Sequence, residues 1–154
     1  MDRKEIAREY FMKGYNCCQS VVVAFKNDLP YSEQFLLNLA SPFGAGFSRT
    51  RNVCGAVSGM GMIVGLFSNN DSTDIKKEKD DTYALIQNLM SEFTEKNNTI
   101  ICKELLKNVK NITLTPVSDD RTEKYYKERP CLKFVEDGVE IVEKYLIDNG
   151  FINE

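Results

Sequence analysis

The sequence predicts an all-α protein, a single domain over residues 1–154 that folds as a multi-helix bundle of about six to seven helices. Three observations support this. Apolar residues recur at helical spacing along most of the chain, residues that cap or break helices separate these runs, and no pair of segments alternates apolar with polar residues as half-buried strands do. A length of 154 residues with 42% hydrophobic content suits one core of ordinary size.

Three helical runs open the chain. The first extends from Asp2 to Lys13 and precedes a glycine, which is typical of a helix end. Asn16 can cap the second run, which continues to Phe25. Ser32 can open the third run, which should end before Pro42 because proline disfavours helical geometry in the residue that precedes it.

A glycine-rich stretch, Gly44 to Phe67, follows. Its first two glycines allow left-handed backbone, and Thr50 can cap a helix that holds Cys54 in or just after its first turn. That helix carries two glycine pairs with a spacing of four residues, namely Gly55 with Gly59 and Gly61 with Gly65. A helix with so little side chain can be approached closely, and we expect this close packing to occur within the protein's own fold.

The middle of the chain predicts a long helix and then a short one. Ser72 or Thr73 can cap the long helix, which runs to about Lys96 and whose charged first turns should project from the body. Thr99 can cap the short helix, Ile100 to Lys107.

The last part of the chain predicts a loop and a terminal helix. Residues 108–122 show no helical periodicity and are interpreted as a loop. Pro130 stands where a first helical residue is expected, and Gly150 stops the helix. Between them, apolar residues repeat at spacings of three and four: Leu132, Val135, Val139, Val142 and Leu146.

Composition argues against several classes of partner and location. The net charge of −3 is small and the charges are mixed, so no nucleic acid is expected as a partner. The charged N-terminus leads into an amphipathic segment and predicts no signal peptide. The longest run of low charge, Val53 to Phe67, is shorter than the ~20 residues that span a bilayer. A cytoplasmic protein is predicted, in which five cysteines stay reduced unless they have a redox or metal role.

Four predicted helices each carry a cysteine in the first turn or just beyond it: Cys17, Cys54, Cys102 and Cys131. Free N–H groups and the helix dipole favour a thiolate there, so we expect lowered thiol pKa values and raised reactivity or metal affinity. The alternative is that these cysteines are small buried apolar residues. The chain has no histidine, which excludes mixed Cys/His zinc sites, histidine-ligated haem and Cys-His hydrolases.

Two arginines, Arg49 and Arg51, stand in the loop before Cys54. They could lower the pKa of the Cys54 thiol or hold an anionic substrate. Arginines in a loop are more often solvated, and solvation is the expectation for these two.

The order Asn16-Cys17, the glycine-rich approach, Cys54-Gly55-Ala56-Val57-Ser58-Gly59 and single later cysteines at positions 102 and 131 resembles the family of redox-active proteins named for the C_GCAxxG_C_C cysteine motif. The resemblance covers the chain from about Gly14 to the last helix. It implies a small helical protein whose redox role is assigned mainly from four characteristic cysteines, which here are Cys17, Cys54, Cys102 and Cys131. Cys18 is an accessory: it stands where similar proteins usually have alanine, and either it or Cys17 could face the site.

Three functions remain open at this point. The preferred one is thiol/disulfide exchange or electron transfer by a thiol-dependent oxidoreductase, with pairs such as Cys17 with Cys54 or Cys102 with Cys131, acting on a redox partner or a small molecule. The second is binding of zinc or an iron–sulfur cluster by the same four cysteines, which their wide spacing and the lack of a C-x-x-C pair make less favourable. The third is a binding module that packs its glycine face against a partner or a second copy in a homodimer, with structural cysteines.

Overall fold

The computed structural model describes residues 1–68 and 73–154, and these residues form an all-α fold, as predicted. The helices are α1 (Arg3–Met12), α2 (Cys17–Val23), α3 (Glu33–Ala40), α4 (Gly55–Phe67), α5 (Ile75–Asn97), α6 (Cys102–Leu105), α7 (Glu123–Glu128) and α8 (Cys131–Asp148). Extended pairing in the described chain is confined to one isolated antiparallel bridge, Val53 with Ile101. No helix within the described ranges is both long and apolar enough to cross a membrane.

Helix α7 has no counterpart in the sequence-based assignment. It is six residues long, all six are described, and none of them is buried. An amphipathic pattern arises from a buried face, so a six-residue helix with no fully buried residue leaves no periodic signal in the sequence.

The first three helices begin at the predicted caps. The side chains of Asp2 and Asn16 each accept a hydrogen bond from the backbone N–H of the third helical residue, and the side chain of that residue accepts one from the N–H of the cap residue. Ser32 accepts a hydrogen bond from the backbone N–H of Phe35. These contacts satisfy N–H groups that the helix itself leaves without partners.

Two threonines predicted as helix caps have other roles. The Thr50 hydroxyl donates to two carbonyl groups of the preceding turn, at 2.8 and 2.9 Å, and Cys54 itself is the residue that precedes α4. The Thr99 hydroxyl accepts from the N–H of Ile101, and Ile101 is the residue that precedes α6. Each threonine stabilises the turn before a helix, so the helix begins later than predicted.

Two further helix starts differ from the prediction by one position. Asp74, not Thr73, caps α5 by accepting from the backbone of Lys77, and the alternative cap Ser72 lies outside the described residues. Pro130 precedes α8 as its cap residue, so the first helical position belongs to Cys131.

Helix α2 is the central helix of the core and packs against α1, α3, α4 and α8. The side chains at its C-terminal end have no exposed surface: Val21, Val22, Val23 and Phe25. A β-branched residue costs a helix at most about 0.7 kcal/mol relative to alanine, whereas burying a valine contributes about 1.5–3 kcal/mol. Burial therefore outweighs the weak helix propensity of this run.

The contact between α2 and α4 depends on two glycines of α4. A Cβ atom at Gly59 would lie 2.9 Å from Cβ of Val21, and one at Gly55 would lie 2.4 Å from Sγ of Cys17. At Gly61 and Gly65, apart from adjacent residues and the backbone of the helix itself, no described atom lies within 4 Å of such a Cβ. One of the two predicted glycine pairs is thus a packing face, and it packs within the protein's own fold.

Helix α8 encloses α2 from another side. It contacts α1, α2, α4 and α5, and four residues of its predicted apolar repeat are fully buried: Val135, Val139, Val142 and Leu146. Its opposite face carries acidic residues, and Glu136 pairs with Arg8 of α1 at 3.3 Å.

Substituting alanine for Gly59 should destabilise the fold, because the new methyl group would meet the β-branched Val21. We expect a loss of about 1–3 kcal/mol in the free energy of unfolding. Gly61→Ala, on the same helix, should be neutral or stabilising by up to about 1 kcal/mol, since the site is open and alanine favours helix. Urea unfolding followed by circular dichroism measures both. Equal stabilities of the two variants would contradict the proposed packing.

Candidate thiol site

A run of left-handed backbone leads the chain into Cys54. The 3-10 turn Ser41–Phe43 and the irregular turn Gly44–Phe47 come first. The N–H of Asn52 then donates to the carbonyl of Gly46 at 2.9 Å, and a Cβ atom at Gly46 would lie 2.6 Å from the same nitrogen. Positive φ angles occur at Ala45, Gly46, Phe47, Ser48, Arg49 and Arg51.

The isolated bridge joins the segment before α4 to the segment before α6. The N–H of Cys54 donates to the carbonyl of Ile100 at 2.8 Å, and the N–H of Cys102 donates to the carbonyl of Asn52 at 2.6 Å. Two cysteines that are far apart in sequence therefore stand on paired segments. The pairing also supplies acceptors for two N–H groups at helix starts.

All four cysteines of the predicted site line one cavity of about 380 Å³: Cys17, Cys54, Cys102 and Cys131. Each is the first residue of a helix or the residue before it. Cys18 lies elsewhere: its side chain is buried and its Sγ is 3.7 Å from Sδ of Met62 on α4. Of the neighbouring thiols Cys17 and Cys18, it is therefore Cys17 that faces the cavity. All five thiols are free.

Sγ of Cys17 lies beside Gly55, the residue that follows Cys54, and the two thiols act on each other's pKa. A hydrogen-bonding interaction in which the Cys54 thiol is the donor is the largest cause of both pKa shifts. This interaction lowers the pKa of Cys17 to about 6 against the opposing effect of burial, with further N–H donation from Ala45, Cys18 and Cys17 itself. The same interaction, together with burial, raises the pKa of Cys54 well above its ordinary value. At Cys54, the one backbone N–H that acts to lower the pKa is that of Ala56. The larger set of donors identifies Cys17 as the thiolate of the pair.

The other two cavity thiols are protonated. Burial raises the pKa of Cys131 to about 12, and the nearby Cys17 adds to this effect. Burial also raises the pKa of Cys102, although Arg51 donates to its sulfur at 3.8 Å and acts in the opposite direction. The predicted lowering of thiol pKa values at four helix starts is therefore wrong for Cys54, Cys102 and Cys131. Desolvation of a charged thiolate outweighs the field of a helix end at Cys102 and Cys131. At Cys54 the interaction with Cys17 is the largest cause, and desolvation adds to it.

The two loop arginines are not solvated, contrary to the expectation from sequence. Arg51 is 3% exposed, and its contacts include the sulfur of Cys102. Arg49 donates to the carbonyl of Thr115 at 2.6 Å and to Asp119 at 3.0 Å. Residues 108–122 thus supply the acceptors that make burial of this arginine pair favourable.

Four polar residues of the cavity wall were not identified from sequence: Asp119, Arg121, Tyr125 and Arg129. Asp119 and Arg121 lie in the predicted loop, and Tyr125 and Arg129 lie between that loop and α8, where no periodicity marks a functional face. Burial alone would raise the pKa of Asp119, but hydrogen bonding from Arg49 and the charge of Arg129 lower it overall. Burial raises the pKa of Tyr125 to about 12, so its hydroxyl stays protonated.

The zinc or iron–sulfur alternative needs several ligands around one point. Among residues 1–68 and 73–154, no group of three or more cysteine, aspartate or glutamate side chains is arranged to hold a metal ion. The contact between Cys17 and Cys54 joins two sulfur atoms, whereas a structural zinc site takes four ligands.

Comparison with known proteins identifies one family. The family model described as "Putative redox-active protein (C_GCAxxG_C_C)" matches residues 15–145, a range that contains all five cysteines. Searches of curated proteins and of solved structures gave no match. The match covers most of the chain and the cysteines of its motif line a common cavity. The chain therefore belongs to the C_GCAxxG_C_C family, which is described as redox-active.

Proposed function

We propose that this protein is a thiol-dependent oxidoreductase that carries out thiol/disulfide exchange at Cys17 and Cys54. The observation that carries the proposal is the placement of these two thiols: Sγ of Cys17 fills the space beside Gly55, the residue next to Cys54, and both cysteines line the cavity. A thiolate beside a protonated partner thiol supplies both the attacking and the resolving group of such a reaction. Cys17, with its pKa of about 6, is largely ionised at neutral pH.

The first step joins the protein to its substrate. The Cys17 thiolate attacks one sulfur of a disulfide RSSR, the substrate S–S bond breaks, and the products are a mixed disulfide on Cys17 and a thiolate RS⁻. Formation of the mixed disulfide removes the negative charge of Cys17, which is one cause of the high pKa of Cys54. Cys54 therefore loses its proton more readily at this stage than in the resting protein.

The second step releases the second half of the substrate as a thiolate. Cys54 gives its proton to RS⁻ and attacks Sγ of Cys17, which forms the Cys17–Cys54 disulfide and expels a second RS⁻. In total the protein loses two electrons and the substrate disulfide gains them as two thiol-level products. A reducing thiol partner reverses these steps and restores the dithiol, in keeping with the cytoplasmic location predicted from the sequence.

The remaining cysteines have no bond-forming step in this scheme. Cys102 and Cys131 line the cavity as neutral thiols, and Cys18 lies buried against Met62. Their environments support a role in packing and in shaping the cavity.

The rate of Cys17 alkylation by iodoacetamide should be half-maximal near pH 6, because the thiolate is the nucleophile and the pKa of Cys17 is about 6. Cys54→Ala removes the hydrogen-bond donor and should move the midpoint to higher pH. Cys54→Ser keeps an O–H donor and should move it less. Peptide mass spectrometry over about pH 4 to 10 gives these midpoints. A wild-type midpoint of about 8.5, the pKa of a free cysteine, would be incompatible with the proposal.

Cys17→Ser should abolish the reduction of hydroxyethyl disulfide, because the attacking thiolate is lost. Cys54→Ser should stop after the first step and accumulate a mixed disulfide, visible as an increase in mass of the intact protein. Cys18→Ala is the matched control, since Cys18 is adjacent in sequence but lies outside the cavity, and it should retain exchange.

Thiol release and intact-protein mass measure these effects, with circular dichroism to show that each variant is folded. Exchange that persists in folded Cys17→Ser would refute the assignment. Loss of folding in Cys54→Ser together with normal behaviour of Cys102→Ser would favour structural cysteines instead.

A further inference from the structure

A buried cation at the cavity wall has an unsatisfied nitrogen. Nε of Arg51 donates to the carbonyl of Thr113 at 3.2 Å, and Nη1 donates to Sγ of Cys102 at 3.8 Å. Nη2 is buried and makes no hydrogen bond with any described residue; Oδ2 of Asp119 is 4.0 Å away. Buried donors in native proteins are almost always paired, so an unpaired one at a cavity indicates a position for a ligand acceptor.

Positive charge exceeds negative charge around the cavity. Its wall includes four arginines, and Asp119 is the one carboxylate among the described lining residues. Oδ2 of Asp119 is shared, at 3.0 Å from Arg49, 3.2 Å from Arg129 and 4.0 Å from Arg51. A single carboxylate therefore faces three guanidinium groups.

The fourth arginine adds to this excess. The guanidinium of Arg121 donates to the carbonyls of Phe11 and Tyr15, at 2.9 and 3.0 Å, and stacks over aromatic rings that include Tyr125. These partners are neutral, so they leave its charge uncompensated. Even with Cys17 ionised, the wall carries four positive charges against two negative ones. A low-dielectric cleft with such an imbalance attracts anions.

We propose that the cavity selects small disulfides that bear a carboxylate, which Nη2 of Arg51 binds while the disulfide lies against Cys17. The redox part of this inference rests on the proposed function, whereas the anion site does not. The planar guanidinium suits a carboxylate because its N–H groups match the spacing of the two oxygens. Apolar residues of the wall, among them Leu105, Leu106 and Phe134, suit the methylene groups between carboxylate and sulfur.

The size of the cavity favours a small molecule over a protein substrate. Its volume of about 380 Å³ lies in the range of small-molecule sites. Cys54 and Cys102 at its wall are only 5% and 7% exposed. Cys17 itself is only partly exposed, so a small disulfide that enters the cavity reaches its sulfur more readily than a disulfide held on the surface of a folded protein.

Calorimetric titration of the reduced wild-type protein with suberate tests the anion site without redox chemistry. Suberate resembles dithiodipropionate with methylene groups in place of sulfur, and octanediol is its neutral counterpart. We expect suberate to bind at least about tenfold more tightly than octanediol. We also expect suberate, and not octanediol, to slow the alkylation of Cys17 by iodoacetamide.

Two variants separate Arg51 from a general effect of charge. Arg51→Gln should remove the preference for suberate. Arg8→Gln, which loses the same charge from a half-exposed arginine paired with Glu136, should keep it. If Arg51→Gln does not fold, the comparison of suberate with octanediol on the wild-type protein still decides whether the cavity prefers a carboxylate.

The inference is overturned if suberate fails to bind, if octanediol binds equally well, or if Arg8→Gln loses as much preference as folded Arg51→Gln. It is also overturned if the protein reduces a protein disulfide faster than dithiodipropionate. Cys17→Ser distinguishes this inference from the proposed function: it should still bind suberate although it cannot exchange disulfides. Binding by Cys17→Ser supports the anion site even if the wild-type protein reduces no disulfide, and absence of binding by the folded variant counts against the site.

Discussion

Helices α2 and α4 come close together because two glycines of α4 present no side chain to α2. The space that a Cβ atom would take at Gly55 is occupied by Sγ of Cys17, and the space at Gly59 is occupied by the side chain of Val21. The same approach brings the Cys17 thiol beside Gly55, the residue next to Cys54, where the two thiols shift each other's pKa. Core packing and thiol geometry thus depend on one helix contact. A side chain at either glycine would separate the helices and change both.

The chemistry follows from a competition between burial and hydrogen bonding at four similar positions. Burial opposes ionisation of every cavity thiol, and at Cys102 and Cys131 it prevails. At Cys54 the interaction with Cys17 raises the pKa further than burial does. At Cys17 the Cys54 thiol and three backbone N–H groups compensate for burial. One ionised sulfur beside three protonated cavity thiols distinguishes the proposed attacking thiol from the resolving one.

The helical class and the positions of the four site cysteines could be predicted because they leave local signals: periodic apolar residues, capping side chains and cysteines that follow them. The six-residue helix α7, with no fully buried residue, leaves no such signal. The burial of Arg49 and Arg51 could not be foreseen, because their partners Thr113 and Asp119 come from a distant segment without periodicity. Thiol pKa values depend on the same long-range packing, so position at a helix start did not predict them. Which glycine pair forms the contact likewise depends on where α2 lies.

Disulfide mapping of the wild-type protein after oxidation by a limiting amount of a small disulfide tests the central claim most directly. Free thiols are blocked under denaturing conditions, and the peptides are then identified by mass spectrometry. The account predicts a single intramolecular disulfide, Cys17–Cys54, with Cys18, Cys102 and Cys131 recovered as blocked thiols. A disulfide between Cys102 and Cys131 that forms first, or oxidised protein in which Cys17 remains a free thiol, would contradict it.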